Sequence, residues 1–592
     1  MPDLAQKNLV AQWAYDTRSV LTRFHLWLDD VVVERAQAEP VSAFTFTPRG
    51  IARCLALTSA ATALGTRLFG DFGGGAGKDK SAYNQVKKAA DAISAYVMSE
   101  GLWHLTRNLP ENHAIMVSLG EGLMPKAGET PEMGANPLLG FGRVYARPEV
   151  ARQVDRAVHR LLNDPGHGFD DFYASLQRSG ITVWGAAVDT LENTSRFAEG
   201  KPTGPMAVFH LFDSPLTVSK PYESYMGCLT VPKRVTETAE RNSVLLDYRT
   251  PRRHVLEAIE ATYPGVLREH VHVWTLRGKS RVARLGKLWE EWKALGVDLV
   301  EDGWRTPAGV EVFTDSGTYA PTFLVGSWRD GADQLHVFIC DGYAATAEAM
   351  QAASLSEVLE VDSTMAVFSP TFELPCGEEG KMMRLDPDAP DFAARVAEIH
   401  GGRAVDAGKV SALAEAIRDA EDSNMPLSRR VLRADDFLPE KSWRVLASVG
   451  YMCLDPYTGV EGVRQVGKAS ENRFAVTTRL ATRNASSLIT FTLRLMEPVE
   501  QMRHVFSPLL VRFLNGQDHT RRSVKISDSG RIRNELQTML SQALEHDGEH
   551  IRVRFDRVDD LVMPKEKQAK IREVLRWFKA HHPVWFEWLE LA

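Results

Sequence analysis

Cysteine is scarce in this 592-residue sequence: Cys54, Cys228, Cys340, Cys376 and Cys453 are odd in number, scattered, and never spaced as Cys-x-x-Cys. That excludes a disulfide framework and a thiolate zinc site as organising features. Long apolar runs are also lacking, and the opening MPDLAQKNLVAQWAYDTRSVL has no basic segment followed by an apolar one. No stretch approaches the roughly 20 apolar residues that span a bilayer, so a soluble, cytoplasmic protein without a membrane partner is expected. Neither sign of charge dominates, with 70 Lys plus Arg against 77 Asp plus Glu and a net −7. An acidic total without a recognisable nucleic-acid motif makes nucleic acid an unexpected partner. Gly-x-Ser-x-Gly and Gly-x-Gly-x-x-Gly are absent as well, which argues against lipase-like and dinucleotide sites.

What is present is an average globular composition, 44% hydrophobic and 25% charged, on a chain long enough for about three or four domains. The expected class is α/β and multidomain. Residues 1–110 read as a helical region, because Leu9, Trp13, Val20, Phe24 and Leu28 recur at helical spacing and 50–68 and 82–105 have similar periodicity. Residues 111–375 read as a central, mostly parallel, layered α/β core. Its strand candidates are His113–Leu119, Ile181–Val188, Met206–Phe212, Ser243–Tyr248, His270–Leu276, Val297–Val300, Val310–Phe313 and Leu335–Cys340, with helices around 147–162, 251–262, 280–295 and 343–359. Residues 376–440 form an acidic loop and helical connector, and 441–592 an α+β domain with strands at Arg473–Leu480 and Ser487–Leu495 and helices near 530–546 and 564–580. The Gly-rich stretch from Phe69 to Ser81 fails as a phosphate loop, since Phe72 stands where the first Gly belongs and Asp79 where the metal-binding hydroxyl belongs. It reads as a flexible linker.

The most informative segment is EHVHVWTLRGKSRVAR, from Glu269 to Arg284, a strand running through a Gly-containing turn into a helix. Arg277, Gly278, Lys279, Ser280 and Arg281 in that turn combine backbone donors at a helix start with a hydroxyl and fixed cations, an anion cradle at a carboxyl strand edge. Their bland alternative is a Ser280 N-cap among solvated bases. The surroundings are unevenly basic: residues 249–287 hold nine Lys or Arg and three acids. A second patch, Arg521 and Arg522 with Lys525, Arg531 and Arg533, follows Asp518-His519. Two such patches suit the two ends of a polyanionic metabolite.

Strand periodicity puts His270 and His272 on one face, where imidazoles serve as acid and base or as ligands of a divalent metal, with His336 and Asp341 as conceivable partners. The run LHVFICDGY reads as a strand ending at Asp341. In that dipeptide and in the later order Asp518-His519, His546 and His550 it resembles the first metal ligand of the alkaline phosphatase superfamily. The nucleophile signature of that family is lacking, leaving Ser363 or Thr364 as the available hydroxyls. Leu454-Asp455-Pro-Tyr-Thr-Gly-Val lacks the second Asp of a haloacid dehalogenase loop and reads as a turn, and Glu121 stands just beyond a strand as a minor acid–base candidate. Trp577, Phe578, Trp585, Phe586 and Trp588 make the tail aromatic enough to require docking, on its own core or on a second subunit of a homo-oligomer.

The expected function is a soluble enzyme acting on a small anionic, phosphorylated metabolite, with His270, His272 and Asp341 catalytic and Arg277 to Arg281, Arg521 and Arg522 binding the ligand. Alternatives are a non-catalytic assembly or ligand-sensing protein, and a divalent-metal-dependent phosphohydrolase or phosphomutase. No particular cofactor is indicated beyond that divalent metal.

Overall fold

A computed structural model describes residues 26–34, 48–107, 109–120, 142–164, 167–213, 225–248, 250–278, 282–315, 317–367, 444–452, 462–483 and 485–495, with shorter stretches elsewhere. After β1 (Leu26–Glu34) come two long helices, α1 (Pro48–Phe69) and α2 (Lys80–Arg107). β2 (His113–Gly120) and β3 (Val144–Tyr145) precede α3 (Pro148–Asn163) and α4 (Phe169–Arg178), followed by β4 (Thr182–Glu192), α5 (Thr194–Ala198) and β5 (Met206–Phe212). A second series holds β6 (Tyr225–Pro232), α6 (Lys233–Arg241), α7 (Arg252–Thr262), β7 (Val271–Trp274), α8 (Val282–Ala294) and β8 (Asp298–Leu299). It continues through α9 (Tyr319–Thr322), β9 (Gly326–Arg329), β10 (Leu335–Ala345), α10 (Thr346–Ser354) and β11 (Val361–Val367). Beyond the hairpin β12 (Leu374–Cys376) and β13 (Lys381–Met383) and the helix α11 (Phe392–Ile399) lie β14 (Arg444–Gly450), β15 (Val463–Val466), β16 (Arg473–Thr482) and β17 (Ser486–Leu495).

The larger sheet has nine strands in the order β1-β17-β16-β14-β5-β4-β2-β3, with β15 also on β16; the smaller has six, β11-β6-β10-β7-β8, with β9 on β10. The larger sheet therefore takes strands from three of the segments marked out by the sequence, 1–110, 111–375 and 441–592, and the breaks near 110 and 441 do not separate sheets. Leu28 lies on strand β1, although its spacing predicts helix; the rest of that pattern is outside the described residues.

Both sheets are mixed, which corrects the expectation of a mostly parallel core. Among the described residues, parallel pairing in them is confined to β2 with β4, β7 with β10 and β7 with β8; the other neighbouring strands run antiparallel. Short connections are the physical reason. Residues 330–334 between β9 and β10, and 483–485 between β16 and β17, are too short for the crossover that parallel strands require. Side-chain periodicity identifies a strand and says nothing of its direction.

Alternation along the strands sorts the core into layers. Ala207, Phe209 and Leu211 on β5 and Val445, Ala447 and Val449 on β14 face α1 and α2, meeting Leu55, Ala56, Ala60 and Leu64. A Cβ on Gly101 would lie 2.2 Å from Thr58 Cγ2, so the two helices meet there only because a glycine is present. On the other face, α3 and α4 cover Ala114, Met116 and Val183, while Met206, Val208 and Leu446 pack against Phe313, Tyr319, Ala320 and Leu355 from the smaller-sheet series. Gln351 on α10 adds a bond from Nε2 to the Ala187 carbonyl, 3.3 Å.

The Gly-rich stretch between α1 and α2 is a packed turn, not a loose linker. Gly73 and Gly75 donate their N–H groups to the Phe197 and Ala198 carbonyls, 3.0 and 2.8 Å, and Phe72 meets Phe197 edge to face at 5.0 Å. Asp79 caps α2 by accepting from the N–H groups of Ser81 and Ala82 at 2.9 and 3.0 Å. With its donors engaged in this way, the turn has the hydrogen-bond pattern of a structural joint.

Among the described residues no helix is long and apolar enough to cross a membrane.

Candidate functional site

The residues singled out in the sequence separate into two places along the smaller sheet. Arg277 and Gly278 follow the carboxyl end of β7, whereas His270 and His272 lie at its amino end. Asp341 belongs to neither. It sits within β10, which continues to Ala345, rather than at a strand end, because the ladder with β6 carries on through Asp341↔Leu229 to Ala345↔Tyr225. The carboxylate is fully buried and accepts from Arg252 Nε at 2.6 Å, Arg252 Nη2 at 2.8 Å and Trp292 Nε1 at 2.6 Å. Burial alone would lower the Arg252 guanidinium, and the adjacent Asp341 charge more than reverses that, holding it above its ordinary range. Asp341 thus pins α7 and α8 to the sheet through a bidentate ion pair with no open face. Ser363 and Thr364 are buried on β11, with Ser363 bonded to Thr230 at 2.9 Å.

The anion turn is described only in part. Lys279, Ser280 and Arg281 lie outside the described residues, as do Arg521, Arg522, Glu121, Asp518, His519 and His550, and the aromatic tail residues from Trp577 to Trp588. Gly278 has φ +129°, a conformation suited to glycine. Arg277 is engaged within the fold: its Nη1 bonds Glu301 Oε1 at 3.0 Å, and its guanidinium lies 5.5 Å from the centre of the Trp289 ring. Arg268 is bonded to Glu260 at 2.8 Å and Arg252 to Asp341. The local basic excess therefore overstates the charge presented to a ligand, since two of these carboxylates come from outside the 249–287 window.

The amino end of the parallel strands holds a different constellation. His272 on β7 is in register with Asp298 on β8, and His336 opens β10 opposite Trp328 on β9. These pairings place Asp298 Oδ2 2.6 Å from His272 Nδ1, and His272 Nε2 2.8 Å from His336 Nδ1. His336 Nε2 in turn faces Asp330 Oδ2 at 3.4 Å. Asp330 is fixed by a tight turn in which its Oδ1 accepts from the N–H groups of Ala332 and Gln334, 2.9 and 2.8 Å. Carboxylate, imidazole, imidazole and carboxylate thus form one continuous run, nearly closed in the middle and open at both ends: the His272 and His336 side chains are 7% and 14% exposed, Asp298 and Asp330 36% and 32%.

Aromatic rings pack around the two imidazoles. The imidazole planes are within 7° of parallel, with centres 5.1 Å apart. Trp328 is parallel to both, at 5.7 Å from His272 and 5.6 Å from His336, and Trp304 leans on His272 at 4.7 Å. His270, from the turn Arg268–His270, stacks on His336 at 4.2 Å. Such ring faces stabilise a cationic imidazole. Burial lowers His336 from the ordinary imidazole value, with the His270 and His272 charges acting in the same sense and Asp330 opposing.

The structure therefore brings His270 and His272 together with His336 and leaves Asp341 and Arg277 elsewhere. Among the described residues no group of three or more His, Cys, Asp or Glu side chains is arranged to hold a metal ion. The direct contact between His272 Nε2 and His336 Nδ1 accounts for this locally, because it turns both lone-pair positions toward each other. Asp298, Asp330, Trp304 and Trp328 had no sequence signal, being ordinary residues of loops and short strands. No family model matches the chain, and no curated protein matches it in sequence.

Proposed function

We propose that the chain is an enzyme whose acid–base centre is the His272–His336 pair. The observation that carries this reading is the uninterrupted run from Asp298 through both imidazoles to Asp330. A carboxylate that fixes the tautomer of an imidazole, with a second imidazole to accept or supply its proton, is what general acid–base catalysis asks of a protein. Asp298 orients His272, and His270 stacks on His336. The ligand class we propose is a small anion, phosphorylated compounds first, on the basic content of 249–287, of which Arg252, Arg268 and Arg277 are already paired with carboxylates. A cytoplasmic location belongs to the same proposal and rests on the few scattered cysteines.

A thermal-shift screen of phosphorylated sugars, nucleotides and short carboxylates tests the reading on wild-type protein and on His336→Gln, since a ligand of the native state raises its melting temperature. A compound that stabilises wild type and loses that effect in His336→Gln is expected. Equal stabilisation of both proteins would remove the pair from the ligand site, and no shift from any anion would remove the ligand class.

A further inference from the structure

The Asp298-to-Asp330 run has a fixed proton requirement. An ionised carboxylate only accepts hydrogen bonds. His272 Nδ1, at 2.6 Å from Asp298, and His336 Nε2, at 3.4 Å from Asp330, must therefore both carry hydrogen, and so must one of the two nitrogens that face each other at 2.8 Å. Three hydrogens are needed on four ring nitrogens. Two neutral imidazoles supply only two, so one of the contacts goes unmade; two imidazolium rings supply four, so two N–H groups collide across the central contact.

We infer that His272 and His336 act as a single two-proton unit: the first proton, shared between the rings, completes the run from Asp298 to Asp330, and the second drives the rings apart and releases the β9–β10 hairpin. The site is then a connected relay only between the two steps. This rests on the reading of the pair as the working centre and adds its regulation by pH. The titratable groups facing the pair are His270 from the turn before β7, Asp298 from β8 and Asp330 from the β9–β10 connection. Trp304 and Trp328 supply aromatic surroundings that do not titrate.

The hairpin is the element that yields because it carries at least one side of every hydrogen bond in the run except that to Asp298: His336 and Asp330 lie on it, together with the stacked Trp328. β9 bonds only to the first part of β10, from Leu335↔Arg329 to Phe338↔Gly326, and forms an edge of the sheet. His272 is held between β10 and β8, and β10 itself is anchored to β7 from Val337↔Val271 onward. The part that can move while Asp298 and His272 stay in place is therefore β9, the turn 330–334 and the start of β10 up to His336.

The test is a titration of the full chain with ¹⁵N-labelled histidine rings from pH 8.5 to 4.5, combined with hydrogen exchange of the backbone at 326–336. His272→Gln and His336→Gln assign the signals. The expected result is that both rings shift together in the first step and again in a separate second step at lower pH. Hairpin exchange should rise about tenfold or more across the lower step. In each variant the remaining ring should titrate in one step. Wild-type exchange needs no variant, so a substitution that fails to fold leaves that arm intact. Rings that titrate separately, each unmoved by replacement of the other, would overturn the shared proton; unchanged hairpin exchange across the lower step would overturn the release. Either result is independent of the ligand screen: a two-step titration without ligand dependence on His336 would keep the proton unit and remove the enzyme reading.

Discussion

Asp341→Asn tests whether that carboxylate holds the smaller sheet together. The replacement is nearly isosteric, so what changes is the charge opposite Arg252 and one acceptor among three short bonds, at 2.6, 2.8 and 2.6 Å. Arg252 remains buried, at 5% exposure, with Tyr248 and Thr250 carbonyls as its other acceptors. Removing one partner of a buried pair costs about 3–5 kcal/mol, most of it the penalty of the charge left behind. For a unit of this size that corresponds to a fall in melting temperature on the order of 10 °C. The assay is thermal and urea unfolding followed by near-UV circular dichroism, where Trp274 and Trp292 report on the same core. A double replacement, Asp341→Leu with Arg252→Met, should recover a large part of the loss because no charge is stranded. A single variant that melts within a degree or two of wild type would refute the reasoning and reopen Asp341 as a residue kept for chemistry.

Three further expectations follow from other parts of the fold. His210 is fully buried, and burial followed by the Arg444 charge pushes its imidazole down to about 3; the unfolded chain takes up a proton near the ordinary value and the folded one does not. Stability should therefore fall as pH drops below that value, and His210→Leu should flatten the pH 7 to pH 4 dependence by ~3 kcal/mol; parallel stability curves would contradict it. Asp79→Ala should cost about 1 kcal/mol through loss of the α2 cap, read as a lower urea midpoint, and an unchanged midpoint would show that Asp79 is not the cap. Gly101→Ala places a Cβ 2.2 Å from Thr58 Cγ2; about 1–3 kcal/mol of overpacking should outweigh the ~1 kcal/mol gained in helix propensity, and a more stable variant would mean that the helices part freely.

Where one face of an element is apolar and the other is not, the sequence reads clearly. Met206–Phe212, an apolar run buried along its whole length, and Arg473–Thr482 are strands as expected, and 48–69, 148–163 and 252–262 repeat as helices. Tyr225–Pro232 and Val361–Val367 are strands too, although Gly and Pro punctuate the first and Asp, Ser and Thr the second. The Thr230 and Ser363 hydroxyls look solvent-facing in one dimension and bond each other across the ladder. Ser243–Tyr248 and Val310–Phe313 show the converse: each buries apolar residues while running as an irregular segment.

The candidate site was legible to the extent that it is built from residues with distinctive chemistry. His270, His272 and His336 stand out in any reading because imidazoles near strand starts are uncommon enough to notice. Their orienting partners do not: Asp298 is 26 residues from His272, and Asp330 becomes a ligand of His336 only through a five-residue turn. The same distance problem hides the role of Asp341, whose partner Arg252 lies 89 residues earlier. A charge count along the chain fails for Arg277 likewise, because Glu301 is brought to it by the fold. Pairing is a tertiary property, and single-chain order does not encode it locally.

The central claim, that His272 and His336 form one connected acid–base unit, is tested most directly by the ring ¹⁵N spectrum of the protein at the pH where the first proton has been taken up. The account predicts three hydrogens over the four ring nitrogens, with the nitrogens at the 2.8 Å contact sharing one of them. Two separate neutral imidazoles, each with one hydrogen and no coupling between the rings, at every pH above the ordinary imidazole range and also midway through their titration, would contradict it.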